Sequence, residues 1–395
     1  MGILLGLLAI VVVLGLAFLM SNDKKSINYK GIIIMLVFQL LITFFMFETK
    51  IGQTIITGIS AGFNKLIEFG TEGINFVVGG FVLEEGGVFF FNVLLLIIFF
   101  ATLLSVLTYL RILPPLIKYL GGLISKVTGL PKVESFNAVN SIFFGQSEAL
   151  IAIRSQFHHL NANRLYIVSA SAMGSVSASI VGAYLQILPN DYVLVALPLN
   201  MLSALMISSI IAPVKVPKEE DVVDIKDVTN DKSIFEAMGN GALEGGKIAL
   251  IVAAMLIAFI ASLELVNWLI QLIFSGATLQ QILGYIIAPI GILMGISPGE
   301  VVQAGSIMGT KIVTNEFVAM LQFQPSIDSL SEKTVGIVSV FLTSFANFSS
   351  IGIIAGTVKG IDAKKAVSVS GFGLKLLLGA TLASILSATV AGLFL

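Results

Sequence analysis

The sequence predicts an all-α polytopic membrane protein with about eight transmembrane helices, two re-entrant hairpins and an inverted repeat. Three observations carry that expectation. Of the 395 residues, 56% are hydrophobic and 11% charged, with a mean hydropathy of +1.01, which leaves too little polar surface to face water. Apolar runs recur at the length of a bilayer core, about 20 residues for about 30 Å. Two further segments reach that depth as pairs of short arms around a polar centre, each arm too short to span.

Composition excludes several function classes. A net charge of -1 suggests no nucleic-acid partner. With no cysteine in the chain, disulfides, thiol catalysis and thiolate metal sites are ruled out. His158 and His159 are the only imidazoles, which argues against a multi-histidine metal site. No cofactor is expected, and the main surrounding is lipid bilayer.

The elements follow in order. The run 2–20 is too long for a signal-peptide core and lacks a basic leader, so it reads as a retained helix. A second span covers 31–48. Segment 50–80 mixes Lys65, Glu68 and Glu72 with apolar residues at helical spacing and reads as an interfacial amphipathic helix. Further spans are expected at 88–110, 165–188, 192–212, 248–270, 336–358 and 366–395, with 277–291 on the membrane surface. The stretch 214–235 is the one extended polar segment and reads as a cytoplasmic linker. The chain therefore divides into N-terminal scaffold helices (1–87), a first repeat (88–213), the linker, and a second repeat (236–395).

Basic residues orient these spans. With the N-terminus outside, the inner loops collect 16 of the 22 Lys and Arg residues, from Lys24, Lys25 and Lys30 through Arg111, Arg154 and Arg164 to Lys359, Lys364 and Lys365. Both termini are placed outside on that bias.

The interrupted segments are 134–157, with Gly145-Gln146-Ser147-Glu148 at its centre, and 300–323, with Thr314-Asn315-Glu316. Backbone that breaks at membrane depth must sit in protein or line a cavity. A crossing with a polar middle follows each hairpin: Ser171, Ser175, Ser177 and Ser179 in the first half, Ser344, Asn347, Ser349 and Ser350 in the second. Three crossings separate the two starting points, an odd number, so the second half is inverted. Inverted repeats with broken helices meeting at the midplane are the general plan of secondary transporters. Carboxylates at such depth, Glu148 and Glu316, are functional candidates. Gln146 and Asn347 carry mixed donors and acceptors suited to the edge of a base. The serines could instead bond their own helix backbone. Lys311 could pair with an acid or snorkel to the interface.

The string Gly309 to Ala319, "GTKIVTNEFVA", fits the G-x-K-x-x-x-N-E-F-V-A signature of the concentrative nucleoside transporters. The strings "GQSE" (145–148), "EGGKIALIVAAMLIAF" (244–259) and "SFANFSSIGIIAG" (344–356) also resemble that family, most closely its bacterial permeases that favour pyrimidine nucleosides. The resemblance implies a homotrimer of the bacterial cell (inner) membrane, each protomer with a scaffold and an elevator-like transport domain. It implies that Gly145, Gln146, Ser147 and Glu148 approach the base, that Glu316, Asn347 and Ser350 approach the ribose, and that Phe345 contacts the nucleoside. It further places the coupling cation among Glu148, Glu316, Ser141, Ser175 and Ser177.

One departure bears on the ion. Sodium-coupled members carry Asn four residues before the glycine of the first tip; this chain has Ser141. Losing an amide carbonyl weakens a sodium site, so the sequence points to a nucleoside:proton symporter with Glu148 or Glu316 as proton acceptor. Sodium coupling and purine preference are the nearest alternatives. A channel is disfavoured by the paired hairpins, and an intramembrane enzyme by the lack of a catalytic dyad.

Overall fold

A computed structural model describes residues 2–79, 88–217, 221 and 231–395. The expected linker at 214–235 and the end of the expected scaffold segment 1–87 lie partly outside the described residues. Every regular element among the described residues is helical.

The first three helices are α1 (Gly2–Leu19), α2 (Tyr29–Glu48) and α3 (Lys50–Val78). Side-chain caps start the latter two: Asn28 accepts from Gly31 N at the head of α2, and Thr49 accepts from Gly52 N at the head of α3. Each satisfies an orphan helix donor. A π-helical turn at Phe90–Leu94 leads into α4 (Leu96–Tyr109). An amphipathic helix, α5 (Leu113–Thr128), follows. Sequence reasoning passed over it, because Lys118 and Lys126 break up its apolar run. Gly129, at φ 72°, stops it in the left-handed region that favours glycine.

The two interrupted segments are broken as expected. The first is α6 (Lys132–Phe143) and α7 (Gln146–Ala152), separated by extended Phe144 and Gly145. At its base Glu134 and Arg164 form a buried bidentate ion pair at 2.5 and 3.1 Å, tying α6 to α8 (Ala162–Met173). The next crossing stops at Gly174 and restarts as α9 (Ala178–Tyr184), capped by Ser177. Then comes α10 (Asn190–Ile211), buried along most of its length.

In the second half, α11 (Ile234–Ile273) has 40 residues, about 60 Å at the α-helical rise. It extends well before the expected start at 248, because Glu236, Glu244 and Lys247 lie at its end beyond the apolar stretch. A capping box between Thr278 and Gln281 starts α12 (Leu279–Met294). The second hairpin is α13 (Val301–Val313) and α14 (Glu316–Phe323), broken at Thr314 and capped by Asn315. The paired crossing is α15 (Glu332–Leu342) and α16 (Phe348–Ile361), interrupted at 343–347. The last span divides into α17 (Ala363–Gly371) and α18 (Gly373–Gly392).

Among the described residues, six stretches are long and apolar enough to cross a membrane, and each falls on one of the expected spans. The other two expected crossings are α1, slightly shorter in its apolar part, and the interrupted α15–α16 pair. The core is formed by α8, α9, α10, α15 and α18, whose residues are almost all buried, while α11 is mostly exposed. Close backbone approach holds the long helices together. A Cβ on Gly245 of α11 would lie 2.6 Å from the Ile98 Cα of α4, and one on Gly305 of α13 would lie 2.7 Å from the Gly284 carbonyl of α12. Small residues at helix crossings allow this contact in lipid, where packing replaces the hydrophobic effect between helices.

Candidate functional site

The four chain breaks converge. Phe345 N–H, between α15 and α16, donates to the Ser175 carbonyl between α8 and α9, across 3.1 Å. The two interrupted crossings thus touch main chain to main chain where neither is helical. Asn200 of α10 braces the second break by donating to the Thr343 carbonyl at 2.5 Å.

Glu316 begins α14 and is 6% exposed. Its two carboxylate oxygens accept from different elements: Oε1 from the Tyr184 hydroxyl at 3.0 Å, Oε2 from Asn347 Nδ2 at 2.9 Å. Placing the carboxylate in the first turn also suits the helix dipole. Asn347 is itself a cap, its Oδ1 accepting from Ser350 N at 3.0 Å and from the Ser349 hydroxyl at 2.6 Å. With the oxygen committed to the cap, only the amide nitrogen can face Glu316, so the network fixes the orientation of the side chain.

Around this pair lies a cavity of about 240 Å³. Gly145, Gln146, Ser147 and Glu148 form one side and Asn315 and Glu316 another. Phe345, Asn347, Ser350 and Ser177 close it, and apolar residues of α11, among them Ile251 and Met255, form the remaining wall. A second cavity of about 370 Å³ shares Glu148, Ser177, Ser179 and Glu244 with the first and continues to Arg154 and Asp231, on the side expected to face the cytoplasm. A chamber with two carboxylates, amides and hydroxyls on one side and an aromatic and aliphatic wall on the other fits a neutral, multiply hydroxylated ligand that carries a flat ring.

Not every expected residue reaches the chamber. Ser141 is buried and donates to the Asn137 carbonyl one turn back at 2.7 Å. Ser175 is buried beside the chamber, and neither it nor Ser141 is part of the wall. Ser177 bonds Ser179 at 2.7 Å and reaches the Phe143 carbonyl at 3.4 Å. Ser171 simply bonds its own helix at Ile167. Among the described residues, Lys311 neither pairs with a carboxylate within ion-pair distance nor snorkels. It is fully buried, donates to the Ser344 hydroxyl at 2.7 Å and lies 4.6 Å from the centre of the Phe341 ring; Ser344 in turn bonds Ser384 of α18 at 2.8 Å.

Comparison with known proteins matches this architecture. A family profile described as "Na+ dependent nucleoside transporter C-terminus" matches residues 192–392, its N-terminal counterpart matches 8–81, and one described as "Nucleoside recognition" matches 90–190. The chain is 39% identical over 392 residues to the purine nucleoside transport protein NupG of Bacillus subtilis, covering 99% of both chains. The chain belongs to the concentrative nucleoside transporter family.

Other members agree over the full length. The nucleoside permease NupC of Helicobacter pylori is 32% identical over 96% of this chain and 95% of its own. The structure of CNTnw in an inward-facing substrate-bound state superposes with a TM-score of 0.94 at 30% identity, covering 100% of this chain and 98% of that one. As a concentrative nucleoside transporter the chain is a polytopic membrane protein whose relatives are transporters and not enzymes. Sequence reasoning missed two wall or support residues of this transporter. Tyr184 closes an apolar stretch and looks like an interfacial aromatic, and its partner Glu316 is 132 residues away. Glu244 lies beyond the apolar part of α11 and faces both cavities. The only signal for it was its place at the head of the "EGGK" string.

Proposed function

We propose that this concentrative nucleoside transporter is a nucleoside:proton symporter that imports nucleosides across a bacterial cell membrane by elevator-type alternating access. The observation that carries this reading is the one chamber in which Gln146, Ser147 and Glu148 face Glu316 and Asn347. Ribose hydroxyls donate to the Glu316 carboxylate and bond Asn347 and Ser350, charge-assisted contacts that a free base cannot make. The base lies toward Gln146, Ser147 and Glu148, with Phe345 against the ring. The protomer works as one of three in a homotrimer, with both termini outside.

Proton coupling is supported by the surroundings of Ser141. A sodium ion needs several converging oxygens, and here a short hydroxyl bonded to its own helix stands where sodium-coupled members have an amide. Glu148 or Glu316 then takes the proton. The match to a profile described as Na+ dependent favours sodium as the second reading. For the base, resemblance of the short motifs favours pyrimidines, whereas the 39% identity to a purine nucleoside transport protein favours purines.

Uptake of uridine, adenosine and guanosine into vesicles, with proton and sodium gradients imposed separately, tests all of this. Accumulation driven by an inward proton gradient alone is expected. Robust accumulation driven by sodium at zero pH difference overturns proton coupling, and no accumulation of any nucleoside overturns the reading altogether.

A further inference from the structure

Among the described residues, four charged side chains are buried: Glu134, Arg164, Lys311 and Glu316. Two are acids and two are bases. Glu134 and Arg164 neutralise each other in direct contact. That leaves Lys311 and Glu316, one of each sign, both in the second hairpin. A charge taken out of water is tolerated where an opposite charge or strong polar partners offset its lost hydration. The hydrogen-bond partners of both are neutral: Ser344 for Lys311, and Tyr184 and Asn347 for Glu316.

Their placement is complementary. Lys311 lies in the last turn of α13 and Glu316 in the first turn of α14, on the two lips of one break. Carbonyls left free at the end of α13 favour a cation, and amides left free at the head of α14 favour an anion. The Phe341 ring, 4.6 Å from Lys311 Nζ, offers its π face to the same charge. These surroundings suit an ammonium better than a neutral amine. In a dry interior opposite charges attract well beyond contact distance, and these two do so. Lys311 and Glu316 also grip the α15–α16 interruption on both sides, at Ser344 and Asn347.

We propose that Lys311 is a positioning residue, the built-in counter-charge of Glu316, so that the break of the second hairpin holds an ionised carboxylate in the chamber yet carries no net charge through the bilayer. The proposal rests on the nucleoside:proton symport reading. An ionised Glu316 stays an acceptor for ligand hydroxyls throughout the cycle. The coupling proton then falls to Glu148, the other hairpin-tip carboxylate, which shares the chamber with Glu244 of α11 and the adjoining cavity with Arg154 and Asp231. With that proton aboard, the loaded carrier crosses electrically neutral.

Melting curves of the full-length protein in detergent test the pairing. Lys311→Met is expected to melt about 5–10 °C below the wild type, because it strands the carboxylate. Adding Glu316→Gln to Lys311→Met is expected to recover about half of that loss or more, although the two side chains do not touch. Adding Glu148→Gln instead is expected to recover nothing. Should Lys311→Met fail to accumulate, folded protein from the Lys311→Met/Glu316→Gln combination carries the same support. No recovery with Glu316→Gln, or equal recovery with Glu148→Gln, overturns the counter-charge.

Nucleoside exchange in proteoliposomes, with uridine and adenosine each at equal concentration on both sides, reports the loaded crossing and tests the neutrality. The wild-type rate is expected to stay within about two-fold when a potential of about 100 mV is imposed. One uncompensated charge carried across that potential is worth up to about fifty-fold, so the Lys311→Met rate is expected to change by about three-fold or more. Lys311→Arg keeps the charge and is expected to behave as the wild type. Equal voltage dependence in the wild type and Lys311→Met overturns the charge balance while leaving transport intact. Failure of the wild type to exchange or take up any nucleoside overturns the transport reading itself, which the melting curves do not depend on.

Discussion

Asn347 donates its side-chain amide to Glu316 across 2.9 Å, so the cap of α16 and the first residue of α14 are joined by one charge-assisted bond. Neither residue can shift without the other, and both face the chamber.

This coupling predicts that Glu316→Gln and Asn347→Ala each abolish nucleoside uptake while the protein still reaches the membrane. Asn347→Ala removes a helix cap, a loss of about 1 kcal/mol, together with a hydrogen bond to a charged group of about 1.5–3 kcal/mol. Uptake normalised to the protein present in isolated membranes checks it, and near-normal uridine transport by either variant removes that residue from the site.

Tyr184 supplies the second donor to Glu316. Tyr184→Phe keeps the ring packing and deletes one hydroxyl, leaving the Glu316 carboxylate short of a partner. Nucleoside affinity is expected to fall about ten-fold or more, with little change in thermal stability in detergent. Equilibrium binding and a melting curve on the same preparation separate the two effects, and unchanged affinity would mean that Tyr184 only fills space.

The buried pair Glu134–Arg164 is the footing of the first hairpin. Removing one partner strands the other charge, so Glu134→Ala is expected to destabilise the protein by about 3–5 kcal/mol, whereas replacing both residues by methionine recovers most of the loss. Size-exclusion profiles after graded heating measure this. A double variant no better than the single one would show that the pair does more than neutralise itself.

Glu300 clamps the N-terminal end of the second hairpin to the head of α15, accepting from Ser331 N at 2.8 Å, from the Ser331 hydroxyl at 2.7 Å and from Thr334. Partial burial pushes its carboxyl up, but the bonds from Thr334 and Ser331 outweigh that and hold it below its ordinary value. A lowered folded-state value stabilises the protein above the unfolded value of about 4.3 and loses that contribution as pH falls through the folded one. Glu300→Gln is therefore expected to melt below the wild type at pH 7, with the two curves converging as the pH falls through the folded-state value. A constant gap across that range would contradict it.

The hairpins were legible in the sequence because Glu148 and Glu316 interrupt apolar runs at a depth where a carboxylate has no bland reason to be. Asn347 was legible because it lies inside a crossing. Tyr184 was not, since a tyrosine ending an apolar stretch is ordinary and only the fold reveals its acidic partner. Lys311 defeated both readings offered for it. It found a hydroxyl in place of a carboxylate, and periodicity cannot show a hydroxyl on the next element. The helix α5 escaped because two lysines disguise an amphipathic face as a loop, and α11 was drawn too short because beyond the bilayer its residues have no need to be apolar.

The contact between Phe345 N–H and the Ser175 carbonyl joins the two inverted halves through peptide groups alone. No side-chain replacement deletes such a bond, with the single exception of proline at 345, which has no N–H to give. The geometry of the crossing is thereby insulated from mutational drift. Residues of the wall can be exchanged one at a time, and a lineage can acquire a new diet of nucleosides without first rebuilding the frame that holds them.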